Sequence, residues 1–118
     1  ELRVVFDQIG SPTYAHDLAL AIIQIIEKTE KDPSEFKPGV YHYANEGLCS
    51  WYDFAVEIVY QAGHNCKVVP VRSDEFPRPA KRPAYSVLDK KKFRQTFNIE
   101  IPYWRYSLIK CLNELVTK

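Results

Sequence analysis

The chain has 118 residues, a length typical of at most one domain, so we treat residues 1–118 as a single portion. Hydrophobic residues make up 46% and aromatic residues 14%, which excludes an intrinsically disordered chain. The net charge of +1 gives no general reason to expect nucleic acid or a membrane as a partner, and the longest apolar stretch, residues 18–26, is too short to span a bilayer.

The chain begins with a predicted strand and a predicted helix. Residues 2–6 form a short run rich in β-branched residues, which is typical of a strand. A helix is predicted over residues 13–29, with either Ser11 or Thr13 as its N-cap; Ser11 as the cap would place Pro12 at the first helical position. Apolar residues at helical spacing predict one buried face. They are Leu18, Ala21, Ile22, Ile25 and Ile26.

A second strand and a second helix follow. A charged loop over residues 28–39 leads to a predicted strand at residues 40–44. Ser50 and Asp53 then have the spacing of a capping box, and Gly63 is a typical helix stop. The apolar face predicted for this helix consists of Trp51, Phe54, Ala55, Ile58, Val59 and Ala62.

The last part of the chain predicts one more strand and two helices. Residues 68–71 form the strand, where Pro70 indicates an edge position, and three prolines exclude regular structure over residues 76–83. A short helix is predicted over residues 89–95, and a last one opens at Pro102. The inward-facing residues are Phe93 and Phe97, then Trp104, Leu108, Cys111, Leu112 and Leu115. The order predicts an α/β fold with few strands and about four helices, an incomplete Rossmann-like architecture.

Positive charge is concentrated in residues 72–94, which hold eight basic and three acidic residues. Such a segment in a nearly neutral chain favours a small anionic ligand over a long polyanion, and a solvated surface is the alternative. Lys90, Lys91 and Lys92 are interpreted as a solvated face.

The three cysteines are Cys49, Cys66 and Cys111, with no C-x-x-C pair. This pattern argues against a disulfide framework and favours a reducing, cytoplasmic setting. His64 and Cys66 supply two of the four ligands that a closed zinc site needs, so we expect no metal site.

Six stretches carry a family pattern when they are taken in order. They are VFDQIGSPT at 5–13, DLA at 17–19, GVYH at 39–42, SWYDFA at 50–55, RPAYSVLD at 82–89 and LNEL at 112–115. Together they resemble the C-terminal, substrate-binding part of the dTDP-4-dehydrorhamnose reductases, extended short-chain dehydrogenases/reductases. The resemblance implies a dTDP-sugar ligand and reduction of the 4-keto group of dTDP-4-dehydro-L-rhamnose with NADPH or NADH. The alternatives are a non-catalytic regulatory or binding module of the same fold, and another nucleotide-sugar reductase or epimerase.

The family's cofactor loop and catalytic Tyr-x-x-x-Lys pair belong to an N-terminal Rossmann portion that we expect to be missing here. The chain has four glycines, no G-x-G-x-x-G pattern and no Met, and we expect a piece of a longer protein that binds no cofactor and is inactive alone. Tyr106 and Lys110 do have the Tyr-x-x-x-Lys spacing, but they lie opposite the predicted apolar face of their helix. We expect them to face solvent. An apolar surface left by the missing portion could support a homodimer.

Six residues are the predicted substrate-binding set. They are Arg82, Gln8, Ser11, Thr13, Trp51 and Tyr85. The resemblance places Arg82 in the loop over the nucleotide-sugar, and a guanidinium suits a diphosphate; Arg78 and Lys81 are further candidates, and a solvated basic loop is the alternative.

The other five members of the set rest on their place in the predicted fold. Gln8, Ser11 and Thr13 lie where a strand ends and a helix begins, a common ligand position in open α/β folds, and helix capping is the alternative. Trp51 could stack on a base or sugar or belong to the core. Tyr85 could bind the ligand or hold the loop. No catalytic residue is predicted in this chain.

Overall fold

The computed structural model describes residues 1–116. Four short strands and four helices account for the regular structure of these residues, together with single 3₁₀ turns at Pro33–Glu35 and Ser73–Glu75. The elements are β1 (Leu2–Val5), β2 (Ile9–Gly10), α1 (Ala15–Lys31), β3 (Cys49–Ser50), α2 (Trp51–Gln61), β4 (Val68–Val71), α3 (Lys91–Phe97) and α4 (Trp104–Val116). The predicted α/β class with few strands and four helices is confirmed. None of these helices combines the length and the hydrophobicity needed to cross a membrane.

The strands form two small sheets. β1 and β4 are parallel, with Leu2 opposite Val68 and Val5 opposite Val71. β2 and β3 are antiparallel, with Ile9 opposite Ser50. Because β1 and β4 are parallel, their carboxyl ends meet at the same edge, and the residues that follow both strands are brought together there.

Helix α2 starts and ends as its sequence predicts. The Ser50 hydroxyl oxygen accepts the Asp53 N–H at 3.0 Å, and the Asp53 carboxylate accepts the Ser50 N–H at 2.9 Å, which completes the capping box. Gly63 ends the helix with a left-handed φ of +65°. The helix packs on both β1 and β4.

Two apolar clusters form the core. Phe93 and Phe97 of α3 are both buried, as predicted. Tyr43 packs edge-to-face on Phe93 at a ring-centroid distance of 5.2 Å, and Tyr41 packs at a tilt on Phe97 at 4.7 Å. The rest of this cluster is Ala21, Ile99 and Ile101. The second cluster is formed by Cys49, Trp104 and Leu108, with Phe54, Ile58 and Leu112 packed against it.

The start and the buried face of α1 differ from the prediction. Neither Ser11 nor Thr13 caps the helix; Tyr14 is the N-cap, without a side-chain cap of its own. The Tyr14 N–H donates instead to the Asn45 side chain at 3.1 Å, so a residue 31 positions away supplies the acceptor that a local cap would have provided. Of the predicted apolar face only Ala21 is buried and Ile25 half-buried. The other three, Leu18, Ile22 and Ile26, are exposed, because the described residues pack only against the Ala21 side of the helix.

Residues 40–44 are not a strand, in contrast to the prediction. They pair with no strand within residues 1–116 and are held by side chains instead. The Lys92 ammonium donates to the Val40 carbonyl at 2.9 Å, and the Tyr41 hydroxyl donates to the Lys37 carbonyl at 2.8 Å. The alternating aromatic residues of this segment therefore pack on α3 rather than on a sheet.

The prediction of a solvated face is wrong for Lys90. Its side chain is buried, with only 5% of the residue exposed, and its ammonium lies 3.2 Å from the Asn45 carbonyl and 3.3 Å from the Glu46 carboxylate. Burial of an ammonium group is tolerated where it is paired and hydrogen-bonded. Lys91 and Lys92 are exposed, as predicted.

A buried polar network joins α1 to α4. Asn45 is fully buried, and its amide donates to the Asp17 carboxylate at 2.7 Å and to the Ser107 hydroxyl at 2.9 Å. Ser107 in turn donates to Asp17. The network fixes the turn at residues 45–47, where Gly47 has a φ of +84° and packs so closely on Tyr103 that a side chain would collide with the ring.

Candidate functional site

A cleft opens at the carboxyl ends of β1 and β4 and consists of two adjoining cavities. The smaller cavity, about 300 Å³, lies where β2 and β3 meet the start of α2. The larger cavity, about 760 Å³, lies beside β1. Gln8, Trp51 and Arg82 line both cavities, which makes them the boundary between the two compartments.

A proline-rich segment, residues 76–84, covers one side of the cleft and is named the basic loop, since it carries Arg78, Lys81 and Arg82. The loop returns to the fold at β2, where the Ile9 N–H donates to the Ala84 carbonyl at 2.8 Å. Two residues after Ala84, the Ser86 N–H donates back to the Ile9 carbonyl at 2.9 Å. Arg82 therefore sits two residues from a fixed point of the backbone.

The charges of the basic loop are left open to solvent. Arg82 and Lys81 are exposed, and neither forms an ion pair with any carboxylate of residues 1–116. Arg78 is placed differently, because its guanidinium lies 5.0 Å from the centre of the Phe76 ring. Two free cations at the mouth of the cleft suit an anionic group, and the fork of Arg82 suits a bidentate one.

Trp51 lines the cleft and belongs to neither apolar cluster of the core. It occupies the first position of α2, and 48% of its surface is exposed. A half-exposed indole on the boundary between two cavities offers a flat apolar face on which a base or a sugar can stack.

The structure brings four of the six predicted site residues together at the smaller cavity: Arg82, Gln8, Ser11 and Trp51. Ser11 is fixed there because its hydroxyl donates to the Gly47 carbonyl at 2.6 Å. Thr13 and Tyr85 line neither cavity. The Thr13 hydroxyl donates to the Ser11 carbonyl at 3.2 Å, and Tyr85, 63% exposed, forms a backbone bridge with Ile9.

Ser73 lines the larger cavity and Asp7 bonds to Ser73 from outside both cavities; neither residue was found by the sequence analysis. The Asp7 carboxylate accepts the Ser73 N–H at 3.0 Å and the Ser73 hydroxyl at 2.7 Å, and these two donors lower the pKa of Asp7. The Gln8 amide donates to the Ser73 hydroxyl oxygen at 3.0 Å. The sequence signal was available, since both residues follow predicted strands and the carboxyl ends of parallel strands meet.

Cys49 also lines the smaller cavity, but as a buried and neutral thiol. Burial, with a smaller contribution from Asp53, raises the pKa of Cys49 to about 11. A thiol is a nucleophile only as the thiolate, so Cys49 contributes shape rather than reactivity at neutral pH.

The residues of this chain do not fit a dinucleotide cofactor. The four glycines, at positions 10, 39, 47 and 63, lie in separate turns and strands and form no phosphate-binding loop. Tyr106 and Lys110 are exposed on α4, as predicted, and neither lines the cleft.

The parallel strand pair, the helix across it and the basic cleft at the strand ends have the architecture of a ligand-binding portion of an α/β protein. A model of the RmlD substrate binding domain matches residues 1–117. The chain belongs to this family, and the resemblance found in its sequence is confirmed.

Relatives and solved structures agree with this assignment. The chain is 41% identical over 114 residues to the spore coat polysaccharide biosynthesis protein SpsK of Bacillus subtilis, a match that covers 97% of this chain and 37% of the relative. It is 34% identical over 128 residues to a dTDP-4-dehydrorhamnose reductase of Burkholderia thailandensis, covering 100% and 43%.

Two crystal structures show the same fold. A dTDP-4-dehydrorhamnose reductase of Clostridium acetobutylicum is 40% identical with a TM-score of 0.84, over 99% of this chain and 39% of that chain. That of Bacillus anthracis, in complex with NADP, is 36% identical with a TM-score of 0.85, over 96% and 38%. The chain thus spans about two-fifths of the length of the relatives it matches.

Proposed function

We propose that this chain is the substrate-binding portion of an NAD(P)H-dependent dTDP-4-dehydrorhamnose reductase, which reduces the 4-keto group of dTDP-4-dehydro-L-rhamnose. The observation that carries the proposal is the cleft, where an exposed guanidinium without an ion pair and a half-exposed indole line the same cavity. The family of the chain and the names of its relatives supply the substrate class.

Each predicted residue has a role in this proposal. Arg82 binds the diphosphate, and Trp51 stacks on the base or the sugar. Gln8 and Ser11 offer hydrogen bonds to the ligand from the wall of the smaller cavity. Thr13 acts indirectly through its bond to the Ser11 carbonyl, and Tyr85 acts through the backbone bridge that holds the end of the basic loop.

The chemistry itself is assigned to the rest of the protein. We propose that an N-terminal Rossmann portion of the same protein holds the nicotinamide cofactor and the proton donor, and that residues 1–118 alone are inactive. The complex of a 36% identical relative with NADP supports NADPH as the cofactor of the complete protein. The three free cysteines support a cytoplasmic location.

Calorimetric titration with dTDP tests the assignment of Arg82. The titration is made on the complete natural protein that contains this chain and, separately, on the 118-residue chain. Arg82→Ala is expected to weaken dTDP binding roughly 10- to 100-fold, the size typical of lost charge-assisted hydrogen bonds. Lys91→Ala removes an equally exposed cation outside both cavities and is the matched control, with no change expected.

Two results would contradict the proposal. Equal dTDP affinity of the wild type and Arg82→Ala would remove Arg82 from the site, and a folded complete protein that binds no dTDP would remove the substrate class. Reductase turnover by the 118-residue chain alone would contradict the proposal that an N-terminal portion holds the cofactor and the proton donor.

Another nucleotide-sugar reductase or epimerase is the second candidate. It is favoured by the 41% identity to a protein named for spore coat polysaccharide biosynthesis rather than for a reductase. A panel of dTDP- and UDP-sugars separates the two, because the first proposal requires turnover of the dTDP-4-keto sugar. Absence of turnover with every sugar, despite dTDP binding, would indicate a non-catalytic binding module.

A further inference from the structure

Two side chains beside the cleft determine how Gln8 is oriented. The Gln8 Nε2 atom donates to Ser73 Oγ at 3.0 Å, and Ser73 Oγ donates to Asp7 Oδ1 at 2.7 Å. The Ser73 N–H also donates to the same carboxylate, at 3.0 and 3.1 Å from its two oxygens. Three residues from two different strand ends therefore form one directional chain of hydrogen bonds.

The direction of this chain follows from the chemistry of its last member. An ionised carboxylate only accepts hydrogen bonds, and the two Ser73 donors favour the ionised form of Asp7. The single hydroxyl hydrogen of Ser73 is thus committed to Asp7, and Ser73 Oγ can only accept from Gln8. Of the two ends of an amide, only the NH₂ group donates, so Nε2 must face Ser73.

The opposite end of the amide is then left for a ligand. Ser73 lines the larger cavity and not the smaller one, whereas Gln8 lines both. With Nε2 bonded to Ser73, the carbonyl oxygen Oε1 is directed away from Ser73, on a side chain that lines both cavities together with Arg82 and Trp51. No donor within residues 1–116 bonds to Oε1.

We propose that Asp7 and Ser73 are positioning residues that lock the Gln8 amide so that Oε1 is presented to the ligand as an acceptor. The group it accepts from is an N–H or O–H donor of the nucleotide-sugar, either the imide N–H of the base or a sugar hydroxyl. The inference rests on the proposed function of the cleft and adds a determinant of ligand specificity to it. Without the two positioning residues, the amide is free to rotate and present its NH₂ group instead.

A double-mutant cycle on the complete natural protein tests the inference. Calorimetric affinities for dTDP, dCDP and dTDP-glucose are measured for the wild type, Ser73→Ala, Gln8→Ala and the double variant. Ser73→Ala is expected to weaken binding of the responding probe roughly three- to tenfold, the size of one neutral hydrogen bond. In the Gln8→Ala background the same change is expected to have no effect, because Ser73 acts only through Gln8.

Ser73→Thr keeps the hydroxyl and is expected to retain wild-type affinity. A merely structural role of Ser73 would weaken binding equally with and without Gln8, and that additive result would overturn the inference, as would unchanged affinity of Ser73→Ala for all probes. Thermal unfolding establishes that each variant is folded. Should Ser73→Ala not fold, Asp7→Asn replaces it in the cycle, because its amide competes with Gln8 for Ser73 Oγ.

The probes identify the donor. If Ser73→Ala loses affinity for dTDP but not for dCDP, Oε1 accepts from the imide N–H of the base, because cytosine has no hydrogen on N3. If Ser73→Ala loses affinity only for dTDP-glucose, Oε1 accepts from a sugar hydroxyl. A wild-type protein that binds none of the probes would overturn the proposed function and this inference with it, whereas normal wild-type binding with additive variants overturns the inference alone.

Discussion

The packing around α3 and the residues around the cleft differ in what holds their side chains in place. Phe93 and Phe97 are buried against aromatic and aliphatic neighbours of the same chain. Arg82 and Lys81 project from the basic loop with their charges exposed and without an ion pair in the described chain. The first region is complete within the described chain, whereas the exposed charges of the second have no ion-pair partner there. Substitutions in the first should therefore change stability, and substitutions in the second should change binding.

The largest effect is expected in the aromatic core. Phe97→Ala should lower the free energy of unfolding by about 3–5 kcal/mol, because it leaves a cavity among Tyr41, Phe93 and Ile99. Urea unfolding measures this loss. Phe36→Ala, at a residue 65% exposed, is the matched control and should stay within about 0.5 kcal/mol of the wild type. A loss below about 1 kcal/mol at Phe97 would contradict the contrast between the two regions.

The buried polar network gives the next largest effect. Asn45→Ala removes both amide hydrogen bonds to Asp17 and Ser107, and it should cost about 1–3 kcal/mol because the buried carboxylate loses a donor. The measurement is again urea unfolding, with Ser34→Ala at an exposed position as the control. Wild-type stability of Asn45→Ala would show that the network does not hold α1 against α4.

A smaller effect on stability distinguishes Ser50, which caps a helix, from Thr13, which the sequence offered as a cap but which does not cap one. Ser50→Ala should destabilise the fold by about 1 kcal/mol, because the N-terminus of α2 loses its capping box. Thr13→Ala should have little effect on stability, since Thr13 does not cap α1. Thermal unfolding of the two variants side by side checks this. An equal loss of stability in both would contradict the difference between the two residues and indicate that Thr13 does cap α1.

The last prediction concerns how stability depends on pH. The thiol of Cys49 holds its proton more tightly in the folded chain, where burial raises its pKa from 9.0 to about 11. The unfolded chain thus binds fewer protons in this range, and the free energy of unfolding should fall as the pH rises from 9.0 to about 11. Cys49→Ala removes this contribution and should flatten the profile of stability against pH. Parallel profiles for the wild type and the variant would contradict it.

Local signals predicted most of the fold. The capping box of Ser50 and Asp53, the stop at Gly63 and the inward pair Phe93 and Phe97 each depend on residues within a few positions of one another, and all are confirmed. Element type and approximate bounds follow from such patterns because short-range hydrogen bonds and helical spacing determine them.

The wrong predictions for the start of α1 and for Lys90 have a different cause, because both depend on hydrogen-bond partners far away in the sequence. The N-terminus of α1 bonds to Asn45, 31 residues away, and the ammonium of Lys90 reaches the carbonyl of the same residue across 45 positions. No local pattern contains such a partner. The site prediction included Gln8 but missed Ser73, 65 positions further along the chain, because it did not pair the two predicted strands whose carboxyl ends bring these residues together.

The two attachment points of the basic loop have a consequence for how ligand preference can change. The 3₁₀ turn that leads into the loop starts at Ser73, which bonds to Asp7, and the loop ends at Ala84, which bonds to Ile9. Both sides of the loop are therefore fastened to one stretch of three residues. The entropy of closing a loop rises only slowly with its length when the ends are already adjacent. Insertions, deletions or a wholly exchanged sequence between these points leave the aromatic core untouched. The basic loop can thus change in sequence or length without rebuilding the fold, and the ligand preference that we propose for the cleft can change with it.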